Sequence, residues 1–167
     1  VLITAVMSFG SIRSTNKLQL DNIQVTTRIA SQSISSNLHL LTERIYNIST
    51  DAELTDDSLS KKDKAAYLQD FEQEIEFVWL SVYDADGKKL YGDKTAPDSI
   101  ADTKYYSQLA ETANTVIGEP HYDQDVLQLC VGAPLKANDE VCGYVIGSYK
   151  YDLLNDVLSM LILGDTG

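Results

Sequence analysis

The chain has 167 residues, 44% apolar and 23% charged, enough for one core of ordinary size and unlike a disordered chain. Its net charge of −12 offers no basic patch, which argues against nucleic acid as a partner and against lying flat on an anionic lipid surface. The acidity reads first as solubility, with a cation-attracting pocket as the sharper alternative.

In chain order, Val1 to Phe9 is nearly all apolar with no basic residue before it. It is shorter than the ~20 residues a bilayer span takes. It also lacks the positive start and small-residue cleavage site of a signal peptide. It reads as the outer end of a transmembrane helix, a buried strand or helix start being the other reading. From Ser14 to Thr50 there is no Gly or Pro, and Ala30, Ile34, Leu38, Leu41, Ile45 and Ile48 recur at helical spacing. A helix of ~35 residues spans about 50 Å, against ~30 Å for a small module. The helix is therefore expected to run past its own module or along a partner helix, and the 3–4 spacing suits either a core face or a two-helix seam.

Thr50 to Ser60 is polar and reads as a loop. Ser60 then caps a second helix, Lys61 to Glu74, with Asp63 three residues on. The period changes to two at Phe77–Tyr83, Asp86-Gly87 supplies a hairpin turn, and Lys89–Tyr91 returns. The Asp-x-Asp-Gly run lacks the remaining ligands of a calcium loop. A short helix follows over Ala101–Glu111, then a short strand or turn over Thr115–Gly118 and a polar loop over His121–Asp125. Val126–Lys136 is a strand with Pro134 at an edge or bulge. Val141–Tyr151 is the last strand after a turn at Asn138-Asp139, and Asp152–Leu163 is a closing helix. Cys130 and Cys142 fall on the paired strands, out of register for a disulfide, and are expected to be free and mostly buried. The two histidines, with no CxxC or HxxxH spacing, give no metal signature. Sequential hairpins give an α+β fold, an antiparallel sheet with helices on one face, preceded by the long N-terminal helix.

The sequence resembles the Cache domains, PAS-like extracytoplasmic sensors of bacterial chemoreceptors, histidine kinases and diguanylate cyclases. The likeness rests on the apolar segment feeding a long helix and on Val82-Tyr83-Asp84-Ala85-Asp86-Gly87-Lys88. It also rests on Asp102–Ala110 with Val116-Ile117-Gly118-Glu119-Pro120, and on Gly132-Ala133-Pro134-Leu135 with Gly143–Gly147. It implies a membrane-distal module of a double Cache domain. Residues 1–10 would be the end of a transmembrane helix, 11–50 a signalling helix, 51–163 the sensor module and 164–167 a linker toward a second module. In amino-acid-binding members an Arg-x-Trp-Tyr run holds the ligand carboxylate and a last-strand Asp holds its amine. Here the matching positions are Thr103, Lys104, Tyr105 and Tyr106, with Ser148 on the last strand, so both charge anchors are missing.

A ligand-binding pocket needs a concave wall, an aromatic lid and a few fixed polar groups. Tyr105 and Tyr106 open a helix crossing the sheet, so one is expected to face a ligand and at least one to pack in the core. Tyr144, Ile146 and Ser148 share one strand face, as do Gln128, Cys130 and Gly132 on the preceding strand. Gln128 and Ser148 are candidate hydrogen-bonding groups. Trp79 reads as core first and lid second. Tyr122, Asp123 and Asp125 lie near the pocket mouth, where acidic and aromatic groups suit an amine or another cation, a solvated loop being the alternative.

No GxSxG, P-loop or GxGxxG motif is present, so neither an enzyme nor a cofactor is expected. The expected function is extracytoplasmic sensing of a small molecule by a transmembrane receptor in the cell membrane, the chemotaxis type favoured. A homodimer through the long helix and membrane attachment through the N-terminal segment complete the picture. The alternatives are a ligand-free dimerisation module, or the sensor of a histidine kinase or diguanylate cyclase.

Overall fold

The computed structural model describes residues 2–150 except Glu76 and Gln124, with side-chain surroundings for residues 25, 27–71, 77–123 and 125–150. The expected closing helix over 152–163 and the linker over 164–167 lie outside the described residues, as do the side chains of the apolar N-terminal segment. No helix among the described residues is long and apolar enough to cross a membrane.

The chain divides into two units. In the first, residues 2–37 belong to helix α1 (Leu2–Ser49), where Val25 and Ile29 are exposed. The second, Leu38–Asp152, holds the end of α1, then α2 (Ala52–Thr55), α3 (Lys61–Ile75), β1 (Phe77–Asp84), β2 (Lys89–Gly92) and α4 (Lys104–Thr112). It continues with β3 (Val116–Ile117), β4 (His121–Asp123), β5 (Val126–Ala137) and β6 (Glu140–Lys150). Every strand pairing is antiparallel, in the order β2-β1-β6-β5-β3, with β4 also on β5. This is the antiparallel α+β sheet that the hairpin pattern predicts, in the PAS-like form that the resemblance implies.

Local chemistry sets the element ends. Ser60 accepts from the Asp63 amide at 3.2 Å and donates to the Asp63 carboxylate at 2.6 Å, a reciprocal cap on α3. The Asp84 carboxylate accepts from the amides of Asp86 (3.0 Å) and Lys88 (2.8 Å), so it serves the turn that Gly87 closes at φ 79°. Asn138 and Asp139 (φ 51° and 66°) make the two-residue turn between β5 and β6. Two segments expected as loops carry structure. Asp51 caps α2 through the Glu53 amide, and His121–Asp123 pairs with Val126–Gln128 as β4.

A bulge between Leu135 and Lys136 moves the β5–β6 register by one residue from a plain hairpin, so Cys130 faces Ser148 and Leu135 faces Gly143. Both thiols are free, as expected, but Cys142 is exposed, because it falls at the bulge near the hairpin tip.

The sheet is covered on both faces. Ile45 and Ile48 of α1, Leu54 of α2 and Leu68 of α3 pack on Leu80, Val82, Val131, Ala133, Val145 and Tyr149. The opposite face carries Trp79, Tyr83, Cys130, Tyr144 and Ile146 under Leu109 of α4 and Ile100. Three helices thus share a face, as predicted, while α4 takes the other. A Cβ at Gly132 would lie 2.8 Å from Leu109 Cδ1 and 2.5 Å from Ile146 Cδ1, so the bare glycine lets α4 approach.

Ile45 is fully buried at the end of α1. Ile45→Ala should cost about 3 kcal/mol in urea unfolding, since the site cannot collapse around the missing atoms; a loss below about 1 kcal/mol would show that α1 is not seated there. Alkali should also weaken the fold. The Tyr67 phenol donates to Asp51 at 2.5 Å, and that bond pushes its pKa up to about 12; burial pushes Tyr91, which donates to the Leu54 carbonyl, up to about 12. Both native pKa values exceed the unfolded one, so the stabilisation is complete below about pH 10 and is lost as pH rises toward 12. Melting temperature should fall across that interval and fall less steeply in Tyr67→Phe; an identical slope would exclude the phenol as a cause.

Candidate functional site

On the α4 face the core is incomplete, and a cleft of about 620 Å³ opens beside it. Its floor is Trp79 of β1 and Cys130 of β5. One wall is Thr103, Lys104 and Tyr105 at the start of α4, another is Glu119 to Asp123, and the rim is Thr95, Pro97 and Ser99. The volume is that of a small-molecule site.

Each wall has a reason in the sequence. Thr103 caps α4 by accepting from the Tyr106 amide at 3.3 Å, which starts the helix with Lys104 and Tyr105 at the cleft. The rim is tied to the hairpin turn: the Tyr83 hydroxyl donates to the Pro97 carbonyl at 2.9 Å, Lys89 Nζ to the Ala96 carbonyl at 2.6 Å, and the Ile100 amide to the Gly87 carbonyl at 2.8 Å. Lys89 also pairs with Asp98 at 3.1 Å. Gly118 donates to the Cys130 carbonyl at 2.8 Å and lies against Tyr105, which brings Glu119 to the wall.

Beside the floor runs a polar chain. The buried Ser148 hydroxyl donates to Gln128 Oε1 at 2.7 Å, and Gln128 Nε2 donates to Asp123 Oδ2 at 3.4 Å. The chain starts under the sheet surface and ends on an exposed carboxylate in the cleft. Burial pushes the Cys130 thiol up to about 11, against the opposing effect of Ser148 and the Tyr105 hydroxyl, so it stays a neutral thiol. Burial likewise raises Tyr105, which keeps its phenol neutral. Lys104 meets both carboxylate oxygens of Glu119, at 3.0 and 3.2 Å.

Of the residues singled out from sequence, Trp79, Tyr105 and Tyr122 line the cleft, and Gln128 and Ser148 form the chain beside it. Trp79 is 4% exposed, so it is floor and core together. Tyr122 is 75% exposed at the mouth. Tyr106 and Tyr144 lie elsewhere: their rings meet edge to face at 5.8 Å, and the Tyr106 hydroxyl donates to the Ala85 carbonyl. Asp125 is exposed in the β4–β5 turn at φ 63° and does not line the cleft. The sequence reading missed the Lys104–Glu119 pair, the rim and Cys130. The face that Cys130 shares with Gln128 was the available signal; the rim is set by contacts distant in sequence.

A second hollow of about 490 Å³ lies on the α3 face over Leu68 and Leu80. No aromatic residue is among its described lining.

No protein-family model and no curated protein matches the chain. Solved structures do. The sensor domain of the V. cholerae histidine kinase DctB is 16% identical with a TM-score of 0.70, over 84% of this chain and 59% of that one. The sensory domain of the Campylobacter jejuni chemoreceptor Tlp3 with isoleucine bound is 17% identical, TM-score 0.63, over 87% and 63%. The ligand-binding domain of the Pseudomonas fluorescens chemoreceptor CtaA in complex with L-isoleucine is 18% identical, TM-score 0.62, over 79% and 56%. The chain thus spans less than two thirds of the length of these domains.

Ser148→Ala would leave the buried Gln128 Oε1 without its donor and should cost about 1–2 kcal/mol in chemical denaturation. An unchanged midpoint would mean that the Ser148–Gln128 bond does not hold the cleft floor. The fold of this chain is that of the PAS-like sensor domains of bacterial chemoreceptors and histidine kinases.

Proposed function

We propose that this chain is the extracytoplasmic ligand-sensing module of a bacterial transmembrane receptor, with a chemotaxis output favoured over a kinase or cyclase. The observation that carries the reading is the cleft itself. A dimerising spacer needs no hollow, and its tyrosines would fill the sheet face; here Tyr106 and Tyr144 pack together while Trp79 and Tyr105 are left on an open cavity beside a hydrogen-bonded polar chain. The bound isoleucine in the chemoreceptor domains of like fold supports a small-molecule occupant. The apolar N-terminal residues support attachment to a membrane. The exposed apolar side chains of Val25, Ile29 and Leu40 on α1 support a homodimer through that helix. Ligand entry acts by favouring one of two packed arrangements of sheet and helix, to the extent that the ligand binds one better.

The single tryptophan of the chain, Trp79, stands on the cleft floor, so occupancy has an intrinsic reporter. In a metabolite panel at about a hundredfold excess over Kd, a true ligand adds about 2.7 kcal/mol. It should raise Tm by about 5 °C and shift Trp79 emission together. A panel in which nothing moves either signal would leave the structural-module reading in its place.

A further inference from the structure

The chemistry of the cleft wall carries the reading one step further, to the class of ligand, and rests on the sensing function proposed above. Of the ionisable lining residues, Glu119 and Asp123 are acids, while Lys104 and His121 can be cations. Lys104 and Glu119 cancel one another through two hydrogen bonds. Among the described residues Asp123 has no cation partner: its Oδ2 accepts from the neutral Gln128 amide, and Oδ1 has no donor. The three arginines of the chain, Arg13, Arg28 and Arg44, belong to α1, and among the described residues no guanidinium lines the cleft to fork a carboxylate. Trp79 and Tyr105 line the same cleft, and the π-face of an aromatic ring attracts a cation.

We propose that the cleft binds an organic ammonium ion that carries an apolar substituent and no carboxylate. Its N–H groups point at Asp123 Oδ1, and its apolar part lies over Trp79 and Tyr105. The Ser148–Gln128 chain fixes the Asp123 carboxylate from behind, so the anion is positioned before the ligand arrives. The Lys104–Glu119 pair is a second carboxylate held in reserve, masked by its lysine. His121 lies on the same side of β4 as Asp123 and is the group from which a ligand carboxylate would draw its partner, so the test includes ligands that carry one.

The whole chain is titrated by calorimetry and by Trp79 emission with three probes of like size: 2-phenylethylammonium, 3-phenylpropanoate and isoleucine. The ammonium is expected to bind and the anion not. Asp123→Asn keeps an acceptor for Gln128 and removes the charge; it should weaken the ammonium about tenfold with the circular dichroism unchanged. Lys104→Ala unmasks Glu119 and should tighten the ammonium severalfold, an effect opposite in sign to that of a lost structural contact. If phenylpropanoate or isoleucine binds more tightly than the ammonium, or if Asp123→Asn binds it unchanged, the cation assignment is overturned while the sensing reading stands. Failure of all three probes overturns the assignment as well, and the metabolite panel then judges sensing independently.

Discussion

Burial of the central strands on both faces is the constraint from which the rest follows. From Gln128 to Leu135 on β5, and from Gly143 to Tyr149 on β6, every residue is buried. A strand sends alternate side chains to opposite sides, so an unbroken buried run needs cover above and below. One side is closed by α1, α2 and α3 with an apolar core. Among the described residues the other has α4, nine residues long, and the rim that leads to it. Leu109 of that helix settles on Gly132, which covers one end of the face. The remaining stretch is walled and not filled, and the buried polar side chains Gln128 and Ser148 fall on this side. The cleft is the part of the second core that the described residues leave open.

The two covers are also held differently. Leu54, Leu68, Ile45 and Ile48 are almost wholly removed from water, which stabilises each by roughly 1.5–3 kcal/mol. The rim is secured largely by single hydrogen bonds to Pro97, Ala96 and Ile100, and such a bond contributes about 1 kcal/mol net. The rim is also anchored by burial, since Ala96 and Ile100 belong to the core on this face, so only its exposed positions Thr95, Pro97 and Ser99 can shift without exposing apolar surface.

The features legible in the sequence are those set by near neighbours. Asp86-Gly87 and Asn138-Asp139 announce their turns because few residues tolerate the required φ, and Ser60 with Asp63 announces a helix start because the two side chains answer one another. Alternation on β6 places Tyr144, Ile146 and Ser148 together for the same reason. Long-range competition hides the rest. Pro134 announces an edge or bulge, and the bulge follows it at Leu135; what the proline does not announce is that the resulting one-residue shift puts Cys142 in solvent. Tyr105 and Tyr106 are adjacent and alike, yet one meets the cleft and the other the Asp84–Lys88 turn, a choice made by where α4 lands on Gly132. Glu119 reaches Lys104 across fifteen positions, a separation at which periodicity carries no information.

The same strand connects the cleft to the helical layer. Ser148 stands beneath the cleft and holds Gln128; Gly147, its neighbour, faces the other way, where a Cβ would lie 2.3 Å from the Phe77 ring and 2.8 Å from Ile45 of α1. The backbone of β6 thus touches the ligand side and the seat of α1 within one residue, with no flexible side chain between. Close-packed interiors transmit displacement instead of absorbing it. A change at Ser148 that shifts β6 moves Gly147 against Ile45 and Phe77, and α1 must follow or the packing must open. Were a side chain present at position 147, it could take up part of the shift through its rotamers. The glycine removes that slack, so a displacement of β6 passes from the cleft side of the sheet to the α1 side without being taken up by a rotamer.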